Sequence, residues 1–312
     1  MPVVALVGPT GVGKTALALA LAAEWPIEAV SVDSRQVYRR MDIGTGKPTA
    51  AERRRLPHHL LDVVEPDEVY DAARFAREAA AAIADIRARG RWPLIVGGTG
   101  LYLRALLHGL APLPPADLAL RRQLRAQAAA EGPASLHTRL ADLDPPSAAR
   151  LHPRDLVRVT RALEIALVTG EPASAILREP RRRPAASPYR ALTIGLTMGR
   201  DALYVRLDAR VEGMLAAGLL AEVEGLLAAG FGVELPAMQG IGYRHLAPVI
   251  GRGARLADAV RAMKRDTRRY AKRQWTWFAR GESPYWIAVD PENPESATAE
   301  VKKVVERTGI FR

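Results

Sequence analysis

Short, largely apolar runs recur along the first hundred residues, and most end in glycine or polar residues. Val3–Val7 leads into a glycine-rich stretch, Glu28–Val32 into Asp33, and Pro93–Val96 into Gly97-Gly98-Thr99-Gly100, while Leu60–Val64 follows His58-His59. Runs this short, bounded by turn residues, predict strands buried on both faces of a parallel sheet. The segments between them carry a different period. Residues 16–25 are nearly all Ala and Leu, and over 71–89 Phe75, Ala79, Ile83 and Ile86 recur at helical spacing among arginines. Both predict helices, the second with one buried stripe. Strands alternating with helices predict an α/β fold.

The pattern changes after a helix predicted over 101–108. Pro112, Pro114 and Pro115 interrupt it, and 117–130, 133–141, 146–152 and 153–168 read as short helices. A basic, proline-rich link at 180–184 closes this block. Strand character returns over 189–198, where Leu192, Ile194 and Leu196 alternate. The chain thus reads as a core domain of 1–111 and 189–312 with a helical insertion domain at 112–188. Residues 201–228 read as helix interrupted near Gly213 and Gly218, 236–244 as a loop, 285–289 as a last strand and 301–305 as a closing helix.

The glycine-rich stretch after the first run is Gly8-Pro9-Thr10-Gly11-Val12-Gly13-Lys14-Thr15, which fits G-x-x-x-x-G-K-[ST] between a strand and a helix. That context makes it a phosphate cradle. Its glycines let successive N–H groups point inward, the helix N-terminus adds its dipole, Lys14 adds a charge, and the Thr15 hydroxyl can ligate Mg²⁺. The fold class is therefore a P-loop NTPase-like parallel sheet flanked by helices. Asp33, just past the second strand, belongs to the crevice outside the strand ends, in a catalytic or Mg²⁺-linked role or as a helix cap. The fourth run lacks the closing acid that Walker-type ATPases use for Mg²⁺; Gly97-Gly98 stands there instead, so motor-type ATP hydrolysis is disfavoured. Paired histidines without a third ligand at fixed spacing argue against a metal at 58–59.

Composition bounds the rest. The absence of cysteine excludes disulfides, thiolate zinc and a cysteine nucleophile. No apolar stretch of about eighteen residues exists to span a membrane. The first strand leaves no room for a signal peptide, so the cytoplasm is the expected compartment. A net charge of +11 suggests a polyanionic partner. Arg261, Lys264, Arg265, Arg268, Arg269, Lys272 and Arg273 predict one basic helix face, with Met263, Thr267, Tyr270 and Gln274 mostly behind it and Trp275, Trp277 and Phe278 anchoring its end. A one-signed stripe repels itself and fits a polyanion such as nucleic acid. Arg154, Arg158 and Arg161 share another face, solvated or in contact with phosphate. Gln239-Gly240-Ile241-Gly242-Tyr243-Arg244 offers parts for holding an unstacked base. On residues alone, a small-molecule or nucleotide kinase and a non-enzymatic RNA-binding module also stand; the first gives the basic helix no task, and the second leaves the phosphate loop idle.

Taken in order, Gly8–Thr15, Asp33-Ser34-Arg35-Gln36-Val37-Tyr38, Met41–Pro48, Gly97–Tyr102, Arg158–Glu164, Gly240–Arg244 and Thr267–Trp277 resemble the tRNA dimethylallyltransferase (tRNA isopentenyltransferase) family, bacterial type. The resemblance implies transfer of a dimethylallyl group from dimethylallyl diphosphate to N6 of the adenosine 3′ of the anticodon, in tRNAs reading codons that begin with U. It implies that Asp33 accepts the amine proton, Arg210 stabilises the departing diphosphate, and Thr99 stands where the substrates meet. Gly8 to Thr15 hold the diphosphate, with Mg²⁺ at Thr15. Asp33 to Gln36, Val157-Arg158-Val159-Thr160-Arg161 and Gln239 to Arg244 contact the tRNA anticodon stem-loop. A monomer is implied as well.

Overall fold

The computed structural model describes all residues except Pro112, 179–186, 282–283 and Arg312. The basic, proline-rich link at 180–184 lies outside the described residues. Among the described residues, six parallel strands form one sheet: β1 (Pro2–Val7), β2 (Ile27–Val32), β3 (His58–His59), β4 (Trp92–Gly97), β5 (Arg190–Thr197) and β6 (Tyr285–Ala288). Their order is β3-β2-β4-β1-β5-β6. Val7 pairs with both Gly97 and Gly195, and Val32 also pairs with Gly97, so β1, β2 and β4 end level while β5 runs on to Thr197. From β1 the chain moves toward β2, and from β4 it moves the opposite way toward β5. Such a reversal opens a crevice beyond the strand carboxyl ends.

The helices follow in chain order. The first four are α1 (Lys14–Ala22), α2 (Ala50–Arg55), α3 (Ala72–Ala88) and α4 (Gly100–His108). Next come α5 (Leu118–Glu131), α6 (Pro133–Leu143), α7 (Pro145–Ala148), α8 (Leu156–Thr169) and α9 (Ala173–Arg178). The rest are α10 (Arg200–Ala216), α11 (Leu219–Ala228), α12 (Tyr243–Arg252), α13 (Leu256–Gly281) and α14 (Pro294–Thr308). Strand alternation divides the core. Val3, Ala5, Val7, Val30, Val32 and Ile95 face α3, α4, α11, α12 and α13 on one side. Val4, Leu6, Ala29, Leu94, Ile194 and Leu196 face α1, α10 and α14 on the other. Asp71 caps α3 by accepting from the Arg74 amide, and the predicted stripe Phe75, Ala79, Ile83 and Ile86 is fully buried. Burying the Phe and the two Ile side chains contributes about 1.5–3 kcal/mol each.

Several elements depart from the sequence reading. Leu60 and Asp62 have left-handed φ, so no strand forms over 60–64, and the strand is His58–His59 itself. His59 is explained by Glu28, a buried carboxylate that also binds Arg89 and Arg91. Gly213 lies inside α10; only Gly218, at φ 99°, breaks the helical run. The 236–244 loop gives way to α12 at Tyr243, and α2 and α9 were not predicted.

Compact units divide at 107/108 and 186/187, slightly ahead of the boundaries read from the sequence. The second unit has its own core of Leu124, Leu136, Leu140, Val159, Leu163 and Ile176. Within it Glu164 is fully buried and accepts from Arg121 Nη2 (2.8 Å), Arg161 Nη1 (2.5 Å) and the Asp117 amide (2.6 Å). Burial alone would raise its pKa, but these bonds hold it below the usual range. Removing one partner of a buried pair strands the other charges. Glu164→Ala should therefore destabilise this unit by about 3–5 kcal/mol. Thermal unfolding followed by circular dichroism checks this; a melting temperature equal to the parent's would contradict it.

Candidate active site at the strand ends

Several segments converge on a cleft of ≈ 530 Å³, among them the loop after β1, the turn after β2, the turn after β4, and side chains from α10 and α13. Lys14 Nζ donates to the carbonyls of Gly8 (2.9 Å) and Pro9 (2.8 Å), drawing its charge over the start of the loop. The amides of Lys14, Thr15 and Ala16 open α1, where no intrahelical acceptor exists, so they can serve an anion. Thr15 lines the cleft beside them. Not every loop residue predicted to hold diphosphate has a free backbone amide to do so. Val12 is fully buried and its amide turns back to Pro9 O, Pro9 has no N–H, and the Thr10 amide donates to Gln274 Oε1 at 2.8 Å.

Asp33 directly follows β2 and serves as a turn cap as well. Its Oδ1 accepts from the amides of Arg35 (2.8 Å) and Gln36 (3.4 Å). Among the described residues its other oxygen has no hydrogen-bond partner, and Asp33 lines the cleft. Burial pushes the carboxyl up, against those amide bonds and the Lys14 charge. Burial pulls Lys14 down to about 8, opposed by Asp33 and reinforced by Arg210. Arg210 is lowered by burial too, opposed by Asp33 and reinforced by Arg206. These causes tie one carboxylate and two cations into a single electrostatic unit. Thr99, at the start of the β4 turn, accepts from the Ser34 amide at 3.0 Å and bonds to Tyr270, whose phenol burial pushes up to about 12.

A glycine-rich loop over 42–48 backs the cleft. Glu222 on α11 accepts from the amides of Asp42 (2.8 Å), Ile43 (2.7 Å) and Gly44 (3.0 Å) and from Tyr243 Oη (2.6 Å). Lys47, almost fully buried, donates to Tyr38 O, Asp42 and Asp62. Gly46 lets the loop pass the arginine, since a Cβ there would stand 1.8 Å from Arg210 Nη2. Gln36 Nε2 holds the same loop through the carbonyls of Thr45 (3.3 Å) and Gly46 (3.2 Å).

The predicted tRNA segments divide accordingly. Ser34, Arg35, Gln36, Gln239, Gly240, Ile241 and Arg244 line the cleft. Tyr243 lines it only marginally: its ring is fully buried and its hydroxyl is bound to Glu222, so it is not a platform for a base. Gly242 is buried at the start of α12. In the second unit Val157 and Arg158 are exposed, whereas Val159 and Thr160 are buried. Arg161 is committed to Glu164 and Pro114 O rather than to a solvated face. On α13, Arg261, Arg265, Arg269, Lys272 and Arg273 are exposed, but Lys264 and Arg268 turn to Glu212 (2.5 Å) and Asp208 (2.9 Å) on α10. The stripe is therefore narrower and more compensated than its spacing predicts. Phe278 anchors the helix end, while Trp275 is 47% exposed.

A parallel sheet with a phosphate loop, a strand-end carboxylate and paired cations defines an α/β enzyme that handles a phosphorylated donor. The comparisons narrow this class. The model of a family described as IPP transferase matches residues 36–281. The tRNA dimethylallyltransferase 1 of Syntrophotalea carbinolica is 51% identical over 286 residues, spanning 92% of this chain and 90% of that protein. The tRNA dimethylallyltransferase of Roseiflexus castenholzii is 48% identical, spanning 98% and 99%. Among solved structures, the tRNA isopentenylpyrophosphate transferase of Bacillus halodurans superposes with a TM-score of 0.70 at 39% identity, covering 99% of both chains. A eukaryotic dimethylallyltransferase acting on tRNA gives 0.79 at 30% identity, covering 99% of this chain and 79% of that one. The chain belongs to the IPP transferase family.

Proposed function

We propose that this protein transfers the dimethylallyl group of dimethylallyl diphosphate to N6 of the adenosine immediately 3′ of the anticodon in tRNA, the tRNAs being those that read codons beginning with U. The observation that carries the reading is the free oxygen of Asp33, facing the same cleft as the phosphate loop, Thr99 and Arg210. The amine lone pair of adenine is delocalised into the ring, so it needs a proton acceptor as the new bond forms. N6 forms a bond to C1 of the donor, the C1–O bond breaks, diphosphate departs, and the N6 proton passes to Asp33. Lys14, Arg210 and the amides opening α1 meet the charge gathering on the leaving group. Thr15, beside those amides, fits Mg²⁺ binding of the kind that takes few protein ligands plus phosphate oxygens, and the ion would add positive charge to the leaving group. The target base leaves its stack to enter the cleft, at a cost of about a few kcal/mol. Exposed cations of α13 offset that cost through phosphate contacts. All of these core groups come from one chain, which fits a monomer, and a tRNA substrate fits a cytoplasmic enzyme. Among the described residues, no helix is long and apolar enough to cross a membrane.

The test is incubation of the protein with Mg²⁺, dimethylallyl diphosphate and unmodified tRNA, followed by nucleoside mass analysis, with ATP replacing the donor in parallel. A dimethylallyl adduct on the adenosine beside the anticodon, formed only with the prenyl donor, is expected. ATP consumption without that adduct would instead restore the kinase reading. The pH profile gives a second check. Because burial raises the Asp33 pKa, the carboxyl stays protonated to higher pH than an ordinary aspartate near 3.9. Only the ionised form accepts the N6 proton, so kcat/KM should rise with pH along a limb centred above that value. Asp33→Asn should erase this limb.

A further inference from the structure

The Gln274 carboxamide lies across the cradle. Its Oε1 accepts from the Thr10 amide at 2.8 Å, and its Nε2 donates to Gly98 O at 3.0 Å. The β4 turn makes room for it: a Cβ on Gly98 would stand 2.1 Å from Nε2 and 3.3 Å from Gly8 O. Gln274 is itself buried. The loop consequently has two unlike ends. At the α1 end, the amides of Lys14, Thr15 and Ala16 open a helix and can take phosphate oxygens. At the other end, beside Gly98 and Thr99, Pro9 has no N–H and the Thr10 N–H is already used.

In a nucleotide-binding loop of this pattern, backbone N–H groups cradle two phosphates and the lysine reaches on to the last. We infer that Gln274 is a specificity-determining residue that withdraws the Thr10 amide from the cradle, so that the end of the loop nearest Thr99 receives the alkyl carbon of a prenyl diphosphate and refuses a third phosphate. The inference rests on the function proposed above and deepens it. A diphosphate seated on the α1 amides directs its carbon end toward Gly8–Thr10 and the Gly98–Thr99 turn, where the acceptor amine arrives. An alkyl carbon needs no hydrogen-bond donor there. A terminal phosphate does need one; there it would meet Pro9 and a Thr10 amide already bonded, with Lys14 held by the Gly8 and Pro9 carbonyls, at the cost of its own hydration.

The test measures the dissociation constants of dimethylallyl diphosphate and of ATP, each with Mg²⁺, by titration calorimetry on the wild type, Gln274→Ala and Gln274→Met. Prenyl transfer to tRNA is assayed on the same wild-type preparation. Truncation frees the Thr10 N–H for a charged oxygen, which should move the ATP-to-prenyl-diphosphate affinity ratio toward ATP by about tenfold or more. Met keeps most of the volume without the amide oxygen, so it should move the ratio the same way even if the Ala variant fails to fold. Loss of packing alone weakens both ligands together and leaves the ratio where it was. Wild-type transfer with an unchanged ratio in the folded variants overturns the inference alone. Absence of wild-type transfer overturns the functional reading and the inference with it.

Discussion

Asp33→Asn should lower the rate of prenyl transfer by about 10²–10⁴-fold while tRNA affinity stays at the wild-type level. Asparagine keeps the shape and the Oδ1 that accepts from the Arg35 and Gln36 amides, so the turn after β2 persists. What it removes is the charge and the capacity to take the N6 proton. There is a secondary effect to separate. Asp33 opposes the depression of both Lys14 and Arg210, so its neutralisation pushes Lys14 further below about 8 and weakens the donor site. Single-turnover rates at saturating donor remove that contribution and isolate the chemical step. A rate within a factor of about ten of wild type would reassign Asp33 to its capping role. An RNA-binding module, by contrast, would lose no function at all.

The second large effect is expected at Arg210. Its guanidinium is half-buried, lines the cleft and is coupled to Asp33, and it offers forked donors where a diphosphate gathers charge. Arg210→Ala should cost about 10²–10³ in kcat, with a smaller loss in donor affinity, because the interaction strengthens as the C–O bond breaks. Arg206, one turn away, is exposed, so its charge is screened and its replacement should cost far less. Gly46→Ala offers an indirect version of the same experiment, since its Cβ would collide with the guanidinium and displace it. Rates for the three variants should rank Arg210→Ala slowest, Gly46→Ala between and Arg206→Ala fastest. Equal losses at Arg206 and Arg210 would show that only summed charge matters.

Much of this site could be read from local pattern because each signal fits within one strand-turn segment. The phosphate loop carries its chemistry in eight consecutive residues, and Asp33 and Thr99 follow directly from where the apolar runs stop. The missed residues act over long separations. Glu222 stands two residues from Glu224 in α11 and resembles an ordinary solvent-facing carboxylate, yet the loop amides it holds lie about 180 positions away. Helical spacing puts Gln274 and Tyr270 on the back of a basic helix, and only the packing of α13 beneath the strand ends turns that back into a wall of the cleft. Tyr243 failed for the opposite reason. An aromatic between glycines suggested a stacking surface, but its phenol satisfies Glu222 and its ring fills the core. The cation stripe was legible as a helix face, while the carboxylates of α10 that neutralise part of it were not, since period says nothing about a neighbour.

The interrupted sheet also has a history during translation. β1 is made before the insert, yet one of its two neighbours, β5, follows only after that entire second unit, and the residue that ties down Thr10 is 264 positions later. Residues 108–186 are contiguous and carry their own core, so on the ribosome the inserted unit can complete itself while its host still lacks a central strand. Until the host closes, β1 presents one edge of unpaired backbone, an exposure that chaperones on the nascent chain would have to cover. A polypeptide released before residue 274 would hold a finished insert and a phosphate loop with nothing to fix its Thr10 end.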